Sequence, residues 1–346
     1  MSQKNLILQE IGSFRKPEYL SSRFHKIIGT PEFNEKASKA TVEIMDLFER
    51  AGLENRGVGG EMFRWEMYEH LADNIKGIEF KGMVRSFDNR YYRKGSVTKQ
   101  ISTLQSAHEK ELSFLLQNFQ GKLKVPITGP YTMMDWSFNE HYRDRRELAN
   151  AFADIIRDEI ILLQSIWKKH RGNEVLEVQI DEPATTTHPS EMDIVTESVN
   201  RSIQGISGIE SSIHVCYSSD YGYLFDQLPD LKVDGYNLEF ANRDLLERGK
   251  DAASRPGFLD VGRFRDANEH VNEKRFLGLG VTDIHIDTVE SVDLIKDRIE
   301  FSLKQFERPD LIRINPDCGL RTRSQDVGFQ KLKNMADAVH SIRKEL

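Results

Sequence analysis

The chain has 346 residues, 38% hydrophobic and 30% charged, the balance of a soluble globular protein with a sizeable core. Its net charge of −7 lacks the basic surplus that neutralising nucleic-acid phosphates requires, and no window approaches the roughly 18 apolar residues of a membrane span. Without a signal-peptide core at its start, and with Cys216 and Cys318 as its two cysteines, it is expected to be cytoplasmic and free of structural disulfides.

Short apolar runs alternate with long amphipathic stretches, the pattern of βα units on a parallel sheet. Strands are predicted at residues 6–13, 56–61, 122–128, 175–181, 211–216, 235–239, 276–283 and 311–315. Eight strands fit a closed (β/α)8 TIM barrel, with residues 1–346 as a single catalytic domain, although the count alone also admits an open sheet. Between them, Ala40, Ile44, Phe48 and Ala51 mark a helix closed by Gly52. Leu148, Phe152, Ile156, Ile160 and Leu163 recur at helical spacing, as do Leu332, Met335, Val339 and Ile342. The basic run Lys168-Lys169-His170-Arg171 reads as the solvated last turn of a helix. Residues 77–97 alternate aromatic, charged and glycine residues (Phe80, Phe87, Tyr91, Tyr92) and read as a β-hairpin inserted after the second strand, either a plain surface excursion or a contributor to the site.

Residues suited to chemistry fall at or just beyond the C-terminal ends of predicted strands, where barrel enzymes keep their sites. His214 and Cys216 sit at i and i+2 of one strand and point to the same side. Alone, the pair reads more readily as core filling. Glu239 ends the next strand, and Cys318 follows the last one in a turn marked by Asp317 and Gly319. Together they offer one nitrogen, two sulfurs and one oxygen, a set suited to tetrahedral Zn2+, one ion per chain. A carboxylate that can leave would admit a substrate thiol, and zinc does no redox chemistry, so the pattern favours alkylation of a thiolate.

The chain resembles the C-terminal catalytic domain of cobalamin-independent methionine synthase through a series of motifs in the same order. These are Ile11-Gly12-Ser13-Phe14, Gly60-Glu61, Thr128-Gly129-Pro130 with Trp136-Ser137-Phe138, and Gln179-Ile180-Asp181-Glu182-Pro183-Ala184. They continue with His214-Val215-Cys216-Tyr217-Ser218, Glu239, Asp283-Ile284-His285 and Asn315-Pro316-Asp317-Cys318-Gly319-Leu320-Arg321-Thr322-Arg323. The resemblance implies a methyltransferase that makes methionine from homocysteine. His214, Cys216, Glu239 and Cys318 match the zinc ligands. Ile11, Gly12 and Ser13 match the segment that holds the amino acid's carboxylate, and Glu61 and Asp181 match the acids that bind its ammonium group. His285 matches a histidine near the reacting sulfur, as catalytic acid or structural imidazole. Trp136 matches the tryptophan that stacks on the pterin, and also reads as a core residue.

The resemblance stops short on the donor side. The folate-using enzymes carry a second, N-terminal half that this chain lacks, and the family's Leu-Arg-Glu after Asp181-Glu182-Pro183-Ala184 is Thr185-Thr186-Thr187 here. Short single-half homologues are thought to use a methylcorrinoid, whose leaving group needs less acid catalysis. A methylcorrinoid or corrinoid protein is therefore the expected donor, with methyltetrahydrofolate as the alternative. Another zinc-thiolate alkyltransferase, acting for example on coenzyme M, would leave Glu61 and Asp181 without a cation to meet. A metal-free decarboxylase-like barrel leaves His214, Cys216 and Cys318 unexplained, and a structural zinc protein would tend toward more cysteine ligands.

Overall fold

In a computed structural model of the chain, residues 6–85 and 91–345 are described. The elements run β1 (Ile7–Leu8), α1 (Glu18–Ser21), α2 (Phe24–Ile27), α3 (Pro31–Ala51), α4 (Met67–Ala72), β2 (Ile75–Arg85) and β3 (Tyr91–Thr103). They continue with α5 (Glu109–Asn118), β4 (Lys124–Thr128), α6 (Pro130–Asp135), β5 (Phe138–Asn139), α7 (Arg145–Arg171), β6 (Leu176–Asp181) and α8 (Met192–Ile203). The remainder is β7 (Ile209–Val215), α9 (Gly222–Phe225), β8 (Gly235–Leu238), α10 (Asp260–Glu269), β9 (Phe276–Gly280), α11 (Val292–Phe306), β10 (Ile312–Asn315) and α12 (Gln325–Glu345).

Among the described residues, seven parallel strands curl in the order β1, β10, β9, β8, β7, β6, β4. Asn55 closes the ring by bridging Gln9 on one side and Lys122 on the other, both parallel. The architecture is therefore the expected α/β barrel of TIM type, but its second strand is a correction. Residues 56–61, predicted as a strand, form a tight turn in which Gly57, Gly59, Gly60 and Glu61 have φ of 52°, 68°, 72° and 63°. A β-strand cannot continue through four left-handed residues. The turn is also sterically closed, since a Cβ on Gly57 would lie 1.6 Å from Glu10 Oε1.

The long helices form for the reasons their sequences suggest. Thr30 caps α3 by accepting from Phe33 N at 3.2 Å, Pro31 opens its first turn, and Gly52 ends it at φ 90°. Asp144 caps α7 in the same way, accepting from Glu147 N at 2.8 Å. Leu148, Phe152, Ile156, Ile160 and Leu163 of α7 are all fully buried, each stabilising the packed state by about 1.5–3 kcal/mol. No helix among the described residues is long and apolar enough to cross a membrane.

The inserted hairpin is larger than residues 77–97. It comprises β2 and β3, paired antiparallel from Ile75 opposite Thr103 to Arg85 opposite Tyr91, and Phe87 of the expected hairpin lies outside the described residues. β5 adds in parallel against Ser96 and Val97, which ties the hairpin to the segment after α6. Tyr92 stacks on Trp136 with ring centroids 5.2 Å apart, so the hairpin packs onto a wall of the barrel mouth and is more than a surface excursion.

Sheet register sets the depth of the site. Thr128, Asp181, His214 and Asn237 are successive partners across β4, β6, β7 and β8 near their C-terminal ends. Beneath them the barrel interior is a buried amide network. Gln9 Nε2 donates to Asn237 Oδ1 at 2.8 Å and Asn237 Nδ2 donates to Gln179 Oε1 at 3.0 Å. Gln179 Nε2 then donates to Asp181 Oδ1 at 2.7 Å and to Ile11 O at 3.0 Å, linking the network to the floor of the site.

Candidate active site and metal centre

His214 is held in one ring orientation because Nδ1 lies 2.9 Å from the carbonyl oxygen of Asn237. A carbonyl only accepts, so Nδ1 carries a proton and Nε2 is left facing the two sulfurs, where loss of its own proton would free the lone pair that a metal takes. Nε2 lies 3.3 Å from Cys318 Sγ, and the ligand atoms of His214, Cys216 and Cys318 all fall within 4.8 Å of one another. The hydrogen bond from Cys216, then the charge of His214, hold the Cys318 thiol well below the usual thiol range against the effect of burial. The same bond and burial push Cys216 up. Burial opposes charge on His214, but the Cys318 thiolate outweighs it and lifts the imidazole to about 9. A buried imidazole beside two sulfurs, one of them a thiolate, is a donor set that fits a zinc ion.

Glu239 is fully buried beside this trio but is not part of it. Its Oε2 accepts from Tyr217 N at 2.7 Å and Asn242 Nδ2 at 2.8 Å, and its Oε1 lies 3.3 Å from His285 Nε2. Burial raises the Glu239 carboxyl, with His285 opposing. Burial works against charge on His285 too, but Glu239 prevails and brings it to about 9. The backbone of His285 is fixed by its N–H to Asp283 Oδ1 at 2.7 Å, and its ring packs edge-on against Tyr217 at 4.8 Å.

A cavity of about 110 Å3 opens onto the trio. Ile11, Gly12, Ser13, Glu61, Asp181 and Trp136 line it together with His214, Cys216 and Cys318; Glu239 and His285 are not on its wall. Desolvation pushes Asp181 up to about 7, with His214 opposing and Glu61 adding to the rise. Glu61 sits in the left-handed turn, its carbonyl oxygen accepting from Lys16 Nζ at 2.9 Å and its Oε1 3.8 Å from Arg64 Nη1. Two carboxyl groups facing one small cavity form a seat for a cation.

Sequence reasoning passed over Glu66, Tyr217, Asn242, Lys16 and Arg321. Glu66 lines the cavity with Trp136 and Arg321, caps α4 by accepting from Glu69 N at 3.0 Å, and is lifted by burial to about 7. Its signal was the capping pattern Glu66-x-x-Glu69 ahead of a helix. Tyr217, Asn242 and Lys16 act through backbone and tertiary contacts that leave no local pattern.

A parallel barrel with a histidine–dicysteine cluster that could hold a metal ion, and paired carboxyls, at its C-terminal face is the arrangement of an α/β-barrel enzyme. The family model described as "Cobalamin-independent synthase, Catalytic domain" matches residues 9–341. A methionine synthase of Thermoplasma acidophilum is 60% identical over 341 residues, 99% of each chain. One of Pyrococcus furiosus is 36% identical, covering 97% of this chain and 92% of that one. Among solved structures, a B12-independent methionine synthase from Shewanella sp. W3-18-1 in complex with selenomethionine superposes with a TM-score of 0.80 at 21% identity, over 98% of both chains. A putative vitamin-B12 independent methionine synthase from Listeria monocytogenes gives 0.72 at 16%, over 98% of this chain and 99% of that one.

The chain belongs to the cobalamin-independent synthase family, and it is a methyltransferase of the methionine synthase type. That membership overturns the expectation of a methylcorrinoid donor and a corrinoid protein partner. The expectation rested on absences, among them the missing acid at Thr187. Thr187 spends its hydroxyl on the carbonyl oxygen of Ala184 at 2.7 Å, whereas Glu66 and Trp136 both line the cavity.

Proposed function

We propose that the protein transfers a methyl group from methyltetrahydrofolate to the sulfur of homocysteine, at one zinc ion per chain bound by His214, Cys216 and Cys318. Glu239 is the fourth ligand when homocysteine is absent. Residues 1–346 act as a single catalytic barrel domain in the cytoplasm. The observation that carries this reading is the convergence of His214, Cys216 and Cys318 with the carboxyls of Glu61 and Asp181 on one cavity of about 110 Å3. Bound zinc supplies the chemistry of holding a thiol as its thiolate near neutral pH.

The remaining work falls to side chains. Glu61 and Asp181 take the ammonium group of homocysteine, whose charge draws Asp181 down from about 7 into its anionic form. The backbone of residues 11–13 takes the carboxylate. Trp136, backed by Tyr92, offers a face to the pterin. The methyl carbon forms its new bond to sulfur as its bond to the donor nitrogen breaks, and that nitrogen leaves with a proton. Glu66, whose carboxyl burial lifts to about 7 so that a substantial fraction is protonated near neutral pH, supplies the proton. His285, raised to about 9, is held against Glu239 and keeps a positive charge beside that carboxylate.

Metal analysis combined with calorimetric titration tests the reading. One zinc per chain is expected, with homocysteine bound only by zinc-loaded protein and its desamino analogue bound at least tenfold more weakly, about the value of one charge-assisted bond. Metal-independent homocysteine binding, or equal affinity for the analogue, would overturn it.

A further inference from the structure

The Glu239 segment and the Cys318 turn are locked together at Asp317. This buried carboxylate accepts from Phe240 N and Ala241 N on Oδ1, both at 3.0 Å, and from Asn242 N on Oδ2 at 2.7 Å. Asp317 N donates to Thr282 O at 3.0 Å, which pins the turn to the end of the neighbouring strand. These bonds tie the backbone that follows Glu239 to the Cys318 turn, so side-chain torsions are the least costly way for the Glu239 carboxylate to move.

In its observed position that carboxylate is met from three directions. Tyr217 N and Asn242 Nδ2 converge on Oε2, and His285 Nε2 stands at Oε1. Tyr217 adopts φ 60° to reach this arrangement, a conformation that side chains with a Cβ rarely take and that recurs where function requires it. The Asn242 amide is directed by its donor end. Its Oδ1 is buried with no hydrogen-bond partner, while its Nδ2 serves Glu239. These contacts build a complete resting place for a carboxylate next to, but outside, the metal-binding trio.

We propose that Asn242, with the Tyr217 N–H, is the docking position for the Glu239 carboxylate when the homocysteine sulfur has replaced it as the fourth metal ligand. Asn242 is thereby a positioning residue that sets homocysteine affinity. This rests on the zinc and homocysteine reading above. Removing the docking donor leaves Glu239 to compete with the substrate thiolate. Asn242→Ala therefore weakens homocysteine binding about tenfold, the value of a hydrogen bond to a charged group. Asn242→Asp places a like charge against the docked carboxylate and weakens binding further. Neither change lowers metal affinity in the absence of homocysteine, because both act on the state in which Glu239 is off the metal.

The test uses Co2+-substituted full-length protein, whose visible absorption reports the ligand set, titrated with homocysteine for the native chain, Asn242→Ala and Asn242→Asp. Metal affinity is measured separately by chelator competition. The expected result is a graded rise in the homocysteine half-saturation point, native below Ala below Asp, at unchanged metal affinity. Unchanged half-saturation in both variants overturns the proposal, as does a parallel loss of metal affinity, which would make Asn242 a support of the metal site itself. A native protein that takes up metal but gives no spectral response to homocysteine overturns the substrate reading, and this proposal with it.

Discussion

His214 turns Nε2 toward the sulfur of Cys318 at 3.3 Å, across 104 positions of sequence, because its Nδ1 is committed to the carbonyl oxygen of Asn237. The ring cannot rotate away without leaving a buried N–H unpaired, so the sulfur is the least replaceable partner of the pair. Cys318→Ser substitutes a hard, weakly acidic hydroxyl for a thiolate. Zinc content is expected to fall well below one per chain, with methyl transfer lost in proportion; a fully active variant holding stoichiometric zinc contradicts the assignment.

Asp181 is oriented by Gln179 from within the barrel and faces Glu61 across the cavity. Asp181→Asn keeps the shape and removes the charge. The KM for homocysteine should rise by about ten- to a hundredfold, the range of one charge-assisted hydrogen bond, while zinc content stays at one. Steady-state kinetics alongside metal analysis separates this from a general loss of folding.

Much of this was legible beforehand. His214 and Cys216 could be paired because strand periodicity puts i and i+2 on one side, and the site's depth followed from strand ends in a parallel barrel. The second strand misled because Gly60-Glu61 was matched to the end of a strand in the resembling family, whereas Gly57, Gly59 and Gly60, with Val58 the one apolar residue among 56–61, take the left-handed turn that brings Glu61 to the cavity. The donor side misled for a different reason. A missing acid was sought at Thr187, in sequence register with the family motif, whereas Glu66 reaches the cavity from another loop. Contacts such as Asn242 to Glu239 depend on Asp317, more than seventy residues away, holding the 240–242 amides.

Glu66 gives the donor side a pH signature. Burial lifts its carboxyl to about 7, so the group is a proton donor below that pH and loses the role above it. The methyl-transfer rate of the native enzyme should decline as pH rises through about 7. Glu66→Gln should be slower by roughly 10²- to 10⁴-fold, without that inflection and with homocysteine affinity preserved. A variant that keeps the native pH profile at native rate removes Glu66 from the mechanism.

Glu10 makes a separate prediction about stability. Its carboxyl is buried in the barrel, Oε1 has no hydrogen-bond partner, and desolvation raises it from 4.5 to about 8 against the pull of Lys124. A raised carboxyl favours the folded state fully below pH 4.5, and that contribution is lost as pH climbs to about 8. Glu10→Gln mimics the neutral acid. Relative to the native chain it should gain on the order of 1–3 kcal/mol between pH 5 and pH 9, read from urea midpoints at the two values. Parallel behaviour of the two proteins across this range would show that Glu10 is not held neutral.

On the proposed reading, a homocysteine thiolate held on zinc takes its methyl group from methyltetrahydrofolate, without a corrinoid. Zinc-loaded protein, reduced and anaerobic, would be given homocysteine with methyltetrahydrofolate in one arm and methylcobalamin in the other, and methionine formation followed over time. Methionine is expected from methyltetrahydrofolate, at a rate that depends on Trp136 and Glu66. Turnover with methylcobalamin and none with methyltetrahydrofolate would contradict it.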